Sequence, residues 1–269
     1  MNKVAHLAIY TALLFHACSK DEPFTPNNEI PVINTEATYT VLKEEDITYA
    51  DGLGHDESST SPFEIPLKLD VYYPDNNSNN RPVFMFIHGG GFTGGIKHGP
   101  EMIEMANYYA SRGWVFFSID YRTTEELCNA KVSSTCRKKI AEMLQNDLQN
   151  GTDEVVTFYK GIAPKEWIEH AIPHIESPKE LQQSIAMYAA QRDAKSALRW
   201  IVANSNTYNI NTDYITVGGN SAGAVTTIAL GISNLEDFRD EISTTDDLTL
   251  STTNLYQTYN VRSMVHFWG

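Results

Sequence analysis

The residues with the clearest chemical potential lie at positions 219–223, which read GNSAG and fit the pattern G-x-S-x-G. A short apolar and β-branched run precedes them at 214–217, and a helix-length apolar run follows at 224–230. A sharp turn between a strand and a helix holds a serine hydroxyl where it can attack a carbonyl carbon. The N-terminus of the following helix favours developing negative charge. This spacing predicts that Ser221 is a nucleophile in acyl transfer.

A second motif lies upstream, where an apolar run at 82–87 leads directly into HGGG at 88–91. Glycines let backbone N–H groups approach a substrate oxygen, because no side chain stands in the way. G-x-S-x-G alone is a weak signal, since serine and small residues are common in turns. Two such motifs, each at the end of a predicted strand, are a much stronger indication of one site.

The two motifs together resemble the α/β-hydrolase esterases, in particular the hormone-sensitive-lipase-like and type B carboxylesterase branches. The resemblance extends from about residue 67 to the end of the chain and includes DVYYP at 70–74 and DYR at 120–122. It implies an α/β-hydrolase domain at 37–269, with a mostly parallel sheet and helices on both faces. A predicted helix at 182–203, with alanines and aliphatic residues at helical spacing, belongs to the same pattern.

The resemblance implies a carboxylic ester hydrolase that forms an acyl-enzyme on Ser221. Three backbone N–H groups would hold the oxyanion: those of Gly90, Gly91 and Ala222. Gly89 belongs to the same motif, and His88 is expected to brace the glycine loop through hydrogen bonds. The expected substrate is a small-molecule or glycan-linked ester, the glycan being suggested only by the surface location predicted below, and neither a cofactor nor a metal is expected.

The same resemblance requires a base and an acid, in the chain order serine, acid, histidine. His170 and His174 precede Ser221 and do not fit that order. His266 follows it, within an apolar run at 261–269 that is typical of the next sheet strand. An apolar strand with nothing to cover it is an aggregation hazard. We therefore expect the chain to be the N-terminal part of a longer enzyme, with the last strands and helices missing.

Residues 123–178 interrupt the resemblance, and we expect this insertion to cover the site as a lid. It contains Cys128 and Cys136. In an exported protein these cysteines could form a disulfide, while two free thiols are the alternative.

Residues 1–18 read as a signal peptide, with a basic start, an apolar stretch and an end that resembles a bacterial lipobox. Cys18 would then carry lipid. The SKDE that follows resembles the signal of surface lipoproteins in Bacteroidota, and residues 19–36 read as a tether. The expected location is the outer membrane or cell surface, with contact to membrane only through the lipid anchor. The alternative is a cleaved secretory peptide and a periplasmic or secreted protein.

The length and net charge of the chain narrow the classes of function that the protein could have. The chain has 269 residues, enough for one large α/β domain, and a net charge of −14, which argues against nucleic-acid binding. The alternative to an esterase is an α/β-hydrolase-like binding module on the cell surface without catalysis. Both glycine motifs are intact, and this argues against it, because a pure binder has no use for an oxyanion hole.

Overall fold

The computed structural model describes residues 29–55, 62–128 and 134–267. Within these ranges six strands form one sheet in the order β1-β2-β4-β3-β5-β6. The strands are β1 (Val41–His55), β2 (Pro62–Pro74), β3 (Arg81–Ile87), β4 (Val115–Ile119), β5 (Ile210–Asn220) and β6 (Ser263–Phe267). β1 pairs antiparallel with β2, and β2 antiparallel with β4. The pairings of β3 with β4 and β5, and of β5 with β6, are parallel.

Helices cover both faces of this sheet. They are α1 (Pro100–Ala110), α2 (Thr124–Cys128), α3 (Ser134–Asn150), α4 (Glu154–Phe158), α5 (Lys165–Ala171), α6 (Pro178–Ala203), α7 (Ser205–Tyr208) and α8 (Ala222–Ile232). Alternate residues of β3 point to opposite faces. Val83, Met85 and Ile87 join the large core beneath α6 and α8, whereas Phe84 and Phe86 join a smaller core beneath α1. β3 is therefore buried on both faces, as expected of a central parallel strand.

Three elements begin or end beyond the stretches that have a clear pattern in the sequence. β1 continues through the polar and glycine-containing residues 51–55, because each of them pairs with β2. β5 begins at Ile210, four residues before the apolar run at 214–217, and α7 lies between α6 and β5. α6 begins at Pro178, where the side chain of Ser177 accepts a hydrogen bond from the N–H of Glu180.

The insertion at 123–178 contributes to the core as well as to the surface. Ile140, Val155 and Ile168 are fully buried. Its first residues adjoin the glycine loop, since Thr124 N–H donates to the carbonyl of Phe92 at 2.9 Å. Cys128 and Cys136 form a disulfide with their Cα atoms 6.3 Å apart. Closure of the insertion over the site stays a prediction.

The predicted signal peptide, Cys18 and most of the predicted tether lie outside the described residues. The part of the tether at 29–36 is docked on the domain. Asn34 N–H donates to the carbonyl of Arg112 at 2.9 Å, and Arg112 Nε donates to the carbonyl of Thr35 at 3.1 Å. Across 29–55, 62–128 and 134–267, no helix is long and apolar enough to cross a membrane.

Candidate active site

Ser221 lies at the turn between β5 and α8 and is exposed. Its backbone is in an unusual conformation, with φ +49° and ψ −117°. A Cβ on Gly219 would stand 2.4 Å from the carbonyl of Gly223, and a Cβ on Gly223 would stand 2.0 Å from the carbonyl of Ile87. The strand and the helix can pass this closely only because both positions are glycine. The turn thus presents the serine hydroxyl at the N-terminus of α8.

The glycine loop lies directly against this turn. A Cβ on Gly89 would be 2.8 Å from the carbonyl oxygen of Asn220 and 3.2 Å from the Cβ of Ser221. β3 and β5 are neighbours and parallel, with Ile87 paired to Gly219, so their carboxyl ends meet at one edge of the sheet. The structure therefore brings the two sequence motifs into one site.

Hydrogen bonds to three carbonyls determine how the peptides of the glycine loop are oriented. The carbonyl of Gly89 accepts from His88 Nδ1 at 2.7 Å. The carbonyl of Gly90 accepts from the N–H and Oγ1 of Thr93, at 3.0 and 2.7 Å. The carbonyl of Gly91 accepts from Gln183 Nε2 at 2.9 Å.

A trans peptide points its C=O and N–H in opposite directions. Because the carbonyls of Gly89 and Gly90 are held by the loop, the N–H groups of Gly90 and Gly91 point away from those contacts. Gly90 has φ +123° and Gly91 has φ +62°, a backbone shape that favours glycine. The N–H of Ala222, in the first turn of α8, has no intrahelical acceptor. These are the three donors that the sequence motifs predict for an oxyanion.

His88 is held as a neutral brace. Its ring is 4% exposed and stacks on Tyr121 with ring centroids 4.4 Å apart. Nδ1 must carry the proton, because the carbonyl of Gly89 can only accept. Burial lowers the pKa of His88, although Asp120 Oδ1 lies 3.6 Å from Nε2. Burial also raises the pKa of Asp120.

Lys97 anchors the far end of the glycine loop, a role that sequence reasoning missed. Its buried ammonium lies 2.8 Å from Asp70 Oδ1 and 3.0 Å from Asp46 Oδ1. Its backbone N–H donates to Asp120 Oδ1 at 2.6 Å. Burial opposes the charged form, but the hydrogen bonds to Asp70 and Asp46 outweigh it and raise the pKa of Lys97. Asp70 in the DVYYP run was the available signal, since a buried carboxylate needs a partner.

The histidines considered as bases are placed as follows. His266 lies on β6 opposite Gly219 and is exposed. His170 and His174 lie at the end of α5 and just beyond it, with their rings 5.2 Å apart. Within the described residues, no hydrogen bond joins the hydroxyl of Ser221 to a histidine.

Three features together define an α/β-hydrolase fold. They are a mostly parallel sheet with helices on both faces, a serine on a strained strand-to-helix turn, and a glycine loop at the end of the neighbouring strand. The chain belongs to the BD-FAE family, an esterase family of this fold, whose sequence model matches residues 69–162 and 169–269.

Solved structures similar to this chain include esterases from two organisms. Thermogutta terrifontis esterase 2 with bound butyrate aligns at 16% identity and a TM-score of 0.45, covering 76% of this chain and 49% of that one. The same esterase phosphoramylated by tabun aligns at 17% identity and a TM-score of 0.45, covering 84% and 56%. A fungal esterase from Rhizomucor miehei aligns at 19% identity and a TM-score of 0.38, covering 72% and 39%. The chain thus spans about half the length of the first of these structures. No curated protein matches it.

Proposed function

We propose that this protein hydrolyses carboxylic esters through an acyl-enzyme on Ser221. The observation that carries the proposal is the close approach of the glycine loop to the serine turn, where a Cβ added to Gly89 would lie 3.2 Å from the Cβ of Ser221. This close approach supports the proposal, because N–H groups beside the Ser221 hydroxyl would stabilise the charge that develops on a tetrahedral intermediate.

In the proposed reaction the hydroxyl oxygen of Ser221 attacks the ester carbonyl while a base takes its proton. The carbonyl oxygen becomes an oxyanion and accepts hydrogen bonds from the N–H groups of Gly90, Gly91 and Ala222. Collapse of this intermediate breaks the bond to the alcohol, which leaves with the proton. Water then attacks the acyl-serine by the same route, releasing the acid and restoring the hydroxyl.

The test is hydrolysis of p-nitrophenyl acetate together with labelling by a fluorophosphonate probe, which reacts with activated serines. Ser221→Ala is expected to lower the rate at least about 10³-fold and to abolish labelling, because it removes the nucleophile. Ser251→Ala, at an exposed serine far along the chain, is the matched control and should keep both. Full turnover by Ser221→Ala would overturn the proposal. His266→Ala then shows whether the one histidine after Ser221 serves as the base.

One observation favours a second candidate, a binding module without catalysis. The serine hydroxyl has no hydrogen-bonded base in the part of the chain that the structure describes. A protein that neither hydrolyses the ester nor reacts with the fluorophosphonate, but stays folded, would support this candidate over the esterase.

A further inference from the structure

A surface pocket lies where α5 and α6 meet the segment at 237–241, which follows α8. Its volume is about 460 Å³, within the range that is typical of sites for small molecules. Eight residues line it: Pro164, Glu166, Trp167, His170, Tyr188, Asp237, Phe238 and Glu241. Neither the glycine loop nor the serine turn contributes to this lining, so the pocket is a separate feature of the molecule.

Three aromatic rings form the apolar part of this pocket. The ring centroids of Trp167, Tyr188 and Phe238 lie 5.4 to 6.2 Å from one another. Phe238 has φ +58°, a conformation that bulky residues rarely adopt. Its N–H donates to Glu241 Oε1 at 2.7 Å, and this bond helps to hold the strained residue in place. Trp167 and Phe238 are partly exposed, so the pocket offers aromatic surface to a ligand.

The charge of the lining is negative. Of the eight lining residues three are carboxylates, and none is a lysine or an arginine. Glu166 is exposed, and within the described residues it accepts no hydrogen bond and forms no ion pair. Asp237 accepts from the N–H of Asn234 at Oδ2, at 2.7 Å, which leaves Oδ1 as an acceptor. Glu241 uses one oxygen for each of two hydrogen bonds inside the protein.

The cations around the pocket do not cancel this charge. Four of them pair with carboxylates outside the lining: Lys160 with Asp246, Lys165 with Glu169, Arg192 with Asp247 and Arg239 with Asp240. In the described part of the chain, the fully buried Lys195 has a carbonyl as its partner, that of Asn234. Its ammonium lies 5.8 Å from the ring centroid of Phe238. Its one charge offsets one of the three carboxylates, and the other two remain.

Hydrogen-bond donors, by contrast, are scarce in the lining. The indole N–H of Trp167 donates to the carbonyl of Ser184 at 3.0 Å, and the hydroxyl of Tyr188 donates to Glu241 Oε2 at 3.2 Å. His170 is the one other side chain of the lining that can donate. An anion or an ester carbonyl would therefore find few donors here, whereas a cation needs only acceptors and negative charge.

We propose that this pocket binds a small organic cation, an apolar body that carries an ammonium group. The apolar body would pack on the rings of Trp167 and Phe238, where a nearby cation is also attracted by the electrons of the ring face. The ammonium would lie at the rim and donate hydrogen bonds to Glu166 and Asp237. The net charge of −14 would favour the approach of such a ligand. The proposal concerns binding alone and does not depend on ester hydrolysis.

The experiment compares three probes that have the same aromatic body and differ in charge: benzylammonium, benzyl alcohol and benzoate. Isothermal titration calorimetry of the full chain at neutral pH measures the Kd of each probe. Benzylammonium is expected to bind with a Kd at least about tenfold lower than that of benzyl alcohol, because only the cation gains from the carboxylates and the ring faces. Benzoate should show no binding, since its charge has the same sign as that of the lining.

The double variant Glu166→Gln with Asp237→Asn tests the rim, because it removes two charges and keeps the shapes of the side chains. Its Kd for benzylammonium is expected to be about five- to tenfold higher. Glu101→Gln with Glu104→Gln, at exposed positions of α1, is the matched control that removes the same charge elsewhere. It should keep the original Kd.

Tryptophan fluorescence locates the bound probe. Benzylammonium should change the emission of the unsubstituted protein, because Trp167 lines the pocket, and this change should be lost in Trp167→Phe. The proposal would be overturned by any of four results: no binding of benzylammonium, equal Kd values for benzylammonium and benzyl alcohol, a Kd unchanged in the rim variant, or an emission change that persists in Trp167→Phe.

Discussion

At the scale of single residues, the glycine loop shows how hydrogen bonds to carbonyls orient the N–H groups of a site. The carbonyls of Gly89 and Gly90 are held by His88 and Thr93, which turns the next N–H in each case to the opposite side. A Cβ on Gly90 would lie 1.9 Å from the carbonyl oxygen of Gly94, so any larger residue would displace the loop. In the proposed reaction these N–H groups would be oriented before a substrate arrives, which is the condition for strong stabilisation of an oxyanion.

His55 is a residue whose burial determines its protonation. It is 2% exposed, its ring stacks on Phe158 at 4.3 Å, and neither ring nitrogen has a partner among the described residues. Burial, with a smaller contribution from the charge of Lys139, lowers the pKa of His55 to about 4. At neutral pH the ring therefore packs as a neutral aromatic group against the insertion.

This pKa predicts that the protein loses stability in mild acid. The unfolded chain, with a histidine pKa of about 6.5, binds the proton more tightly than the folded one. The contribution is complete above about pH 6.5 and is lost as the pH falls towards 4. Between pH 7.5 and pH 5 the free energy of unfolding should fall by about 2 kcal/mol through His55 alone. Urea denaturation of His55→Phe at both pH values should show a fall smaller by that amount.

His174→Gln is the control for this experiment, because His174 is exposed. It should show the same fall as the unsubstituted protein. An equal fall in His55→Phe would mean that the neutral ring of His55 is not a source of the pH dependence.

At the scale of elements, α6 connects most parts of the site to the rest of the fold. Near its start Gln183 holds the glycine loop, in its middle Asp193 pairs with Arg122, and beyond that Arg199 lines a small cavity. The helix is 26 residues long and buried along most of its length, so its polar residues face partners inside the protein. Its position therefore affects the loop and the cavity together.

We predict that Gln183→Met lowers kcat for p-nitrophenyl acetate about tenfold and leaves KM nearly unchanged. The reason is that the carbonyl of Gly91 loses its donor at 2.9 Å and the loop becomes less ordered, while the volume of the side chain is kept. Tm should change by less than about 2 °C, because Gln183 is part-exposed and water can replace the lost bond.

Gln149→Met, at an exposed position of α3, is the matched control and should keep the original kcat. The prediction depends on the proposed ester hydrolysis. A kcat for Gln183→Met equal to that of the control would show that the contact of α6 with Gly91 does not order the loop.

At the scale of the whole molecule, the buried pair of Arg122 and Asp193 joins three distant segments. Both side chains are 2% exposed and lie 2.7 Å apart. Arg122 Nη1 also donates to the carbonyl of Leu53 on β1 at 2.9 Å. The pair thus links the hairpin, the residues after β4 and α6.

Asp193→Asn is predicted to lower the free energy of unfolding by about 3–5 kcal/mol, because it leaves the Arg122 guanidinium buried without a counter-charge. Urea denaturation measures this. The double variant Arg122→Met with Asp193→Leu should recover part of the loss, since it removes both charges. Glu169→Gln, in the exposed pair with Lys165, is the control and should change stability by less than about 0.5 kcal/mol. A cost below about 1 kcal/mol for Asp193→Asn would contradict the linking role of the pair.

Local patterns in the sequence were enough to locate the two motifs, the strands around them and the body of α6. The apolar runs before residues 88 and 219 and the alanine-rich face of α6 are periodic signals, and periodicity depends only on neighbours in the chain. The glycines at 89–91 and at 219 and 223 indicated close backbone approaches for the same reason. They did not indicate which backbone comes close.

Only the tertiary structure decided which residues contact one another at the site and in the core. The order of strands in the sheet puts Gly89 beside Ser221, and the packing of α6 brings Gln183 to Gly91. Pairing with β2 extends β1 through a polar stretch that local propensity assigns to a loop, because cross-strand contacts outweigh propensity. Residues far apart in the chain form the contacts of Lys97, the ion pair of Arg122 with Asp193, and the cavity at Arg199. Their contacts follow from register and helix packing, which no local pattern records.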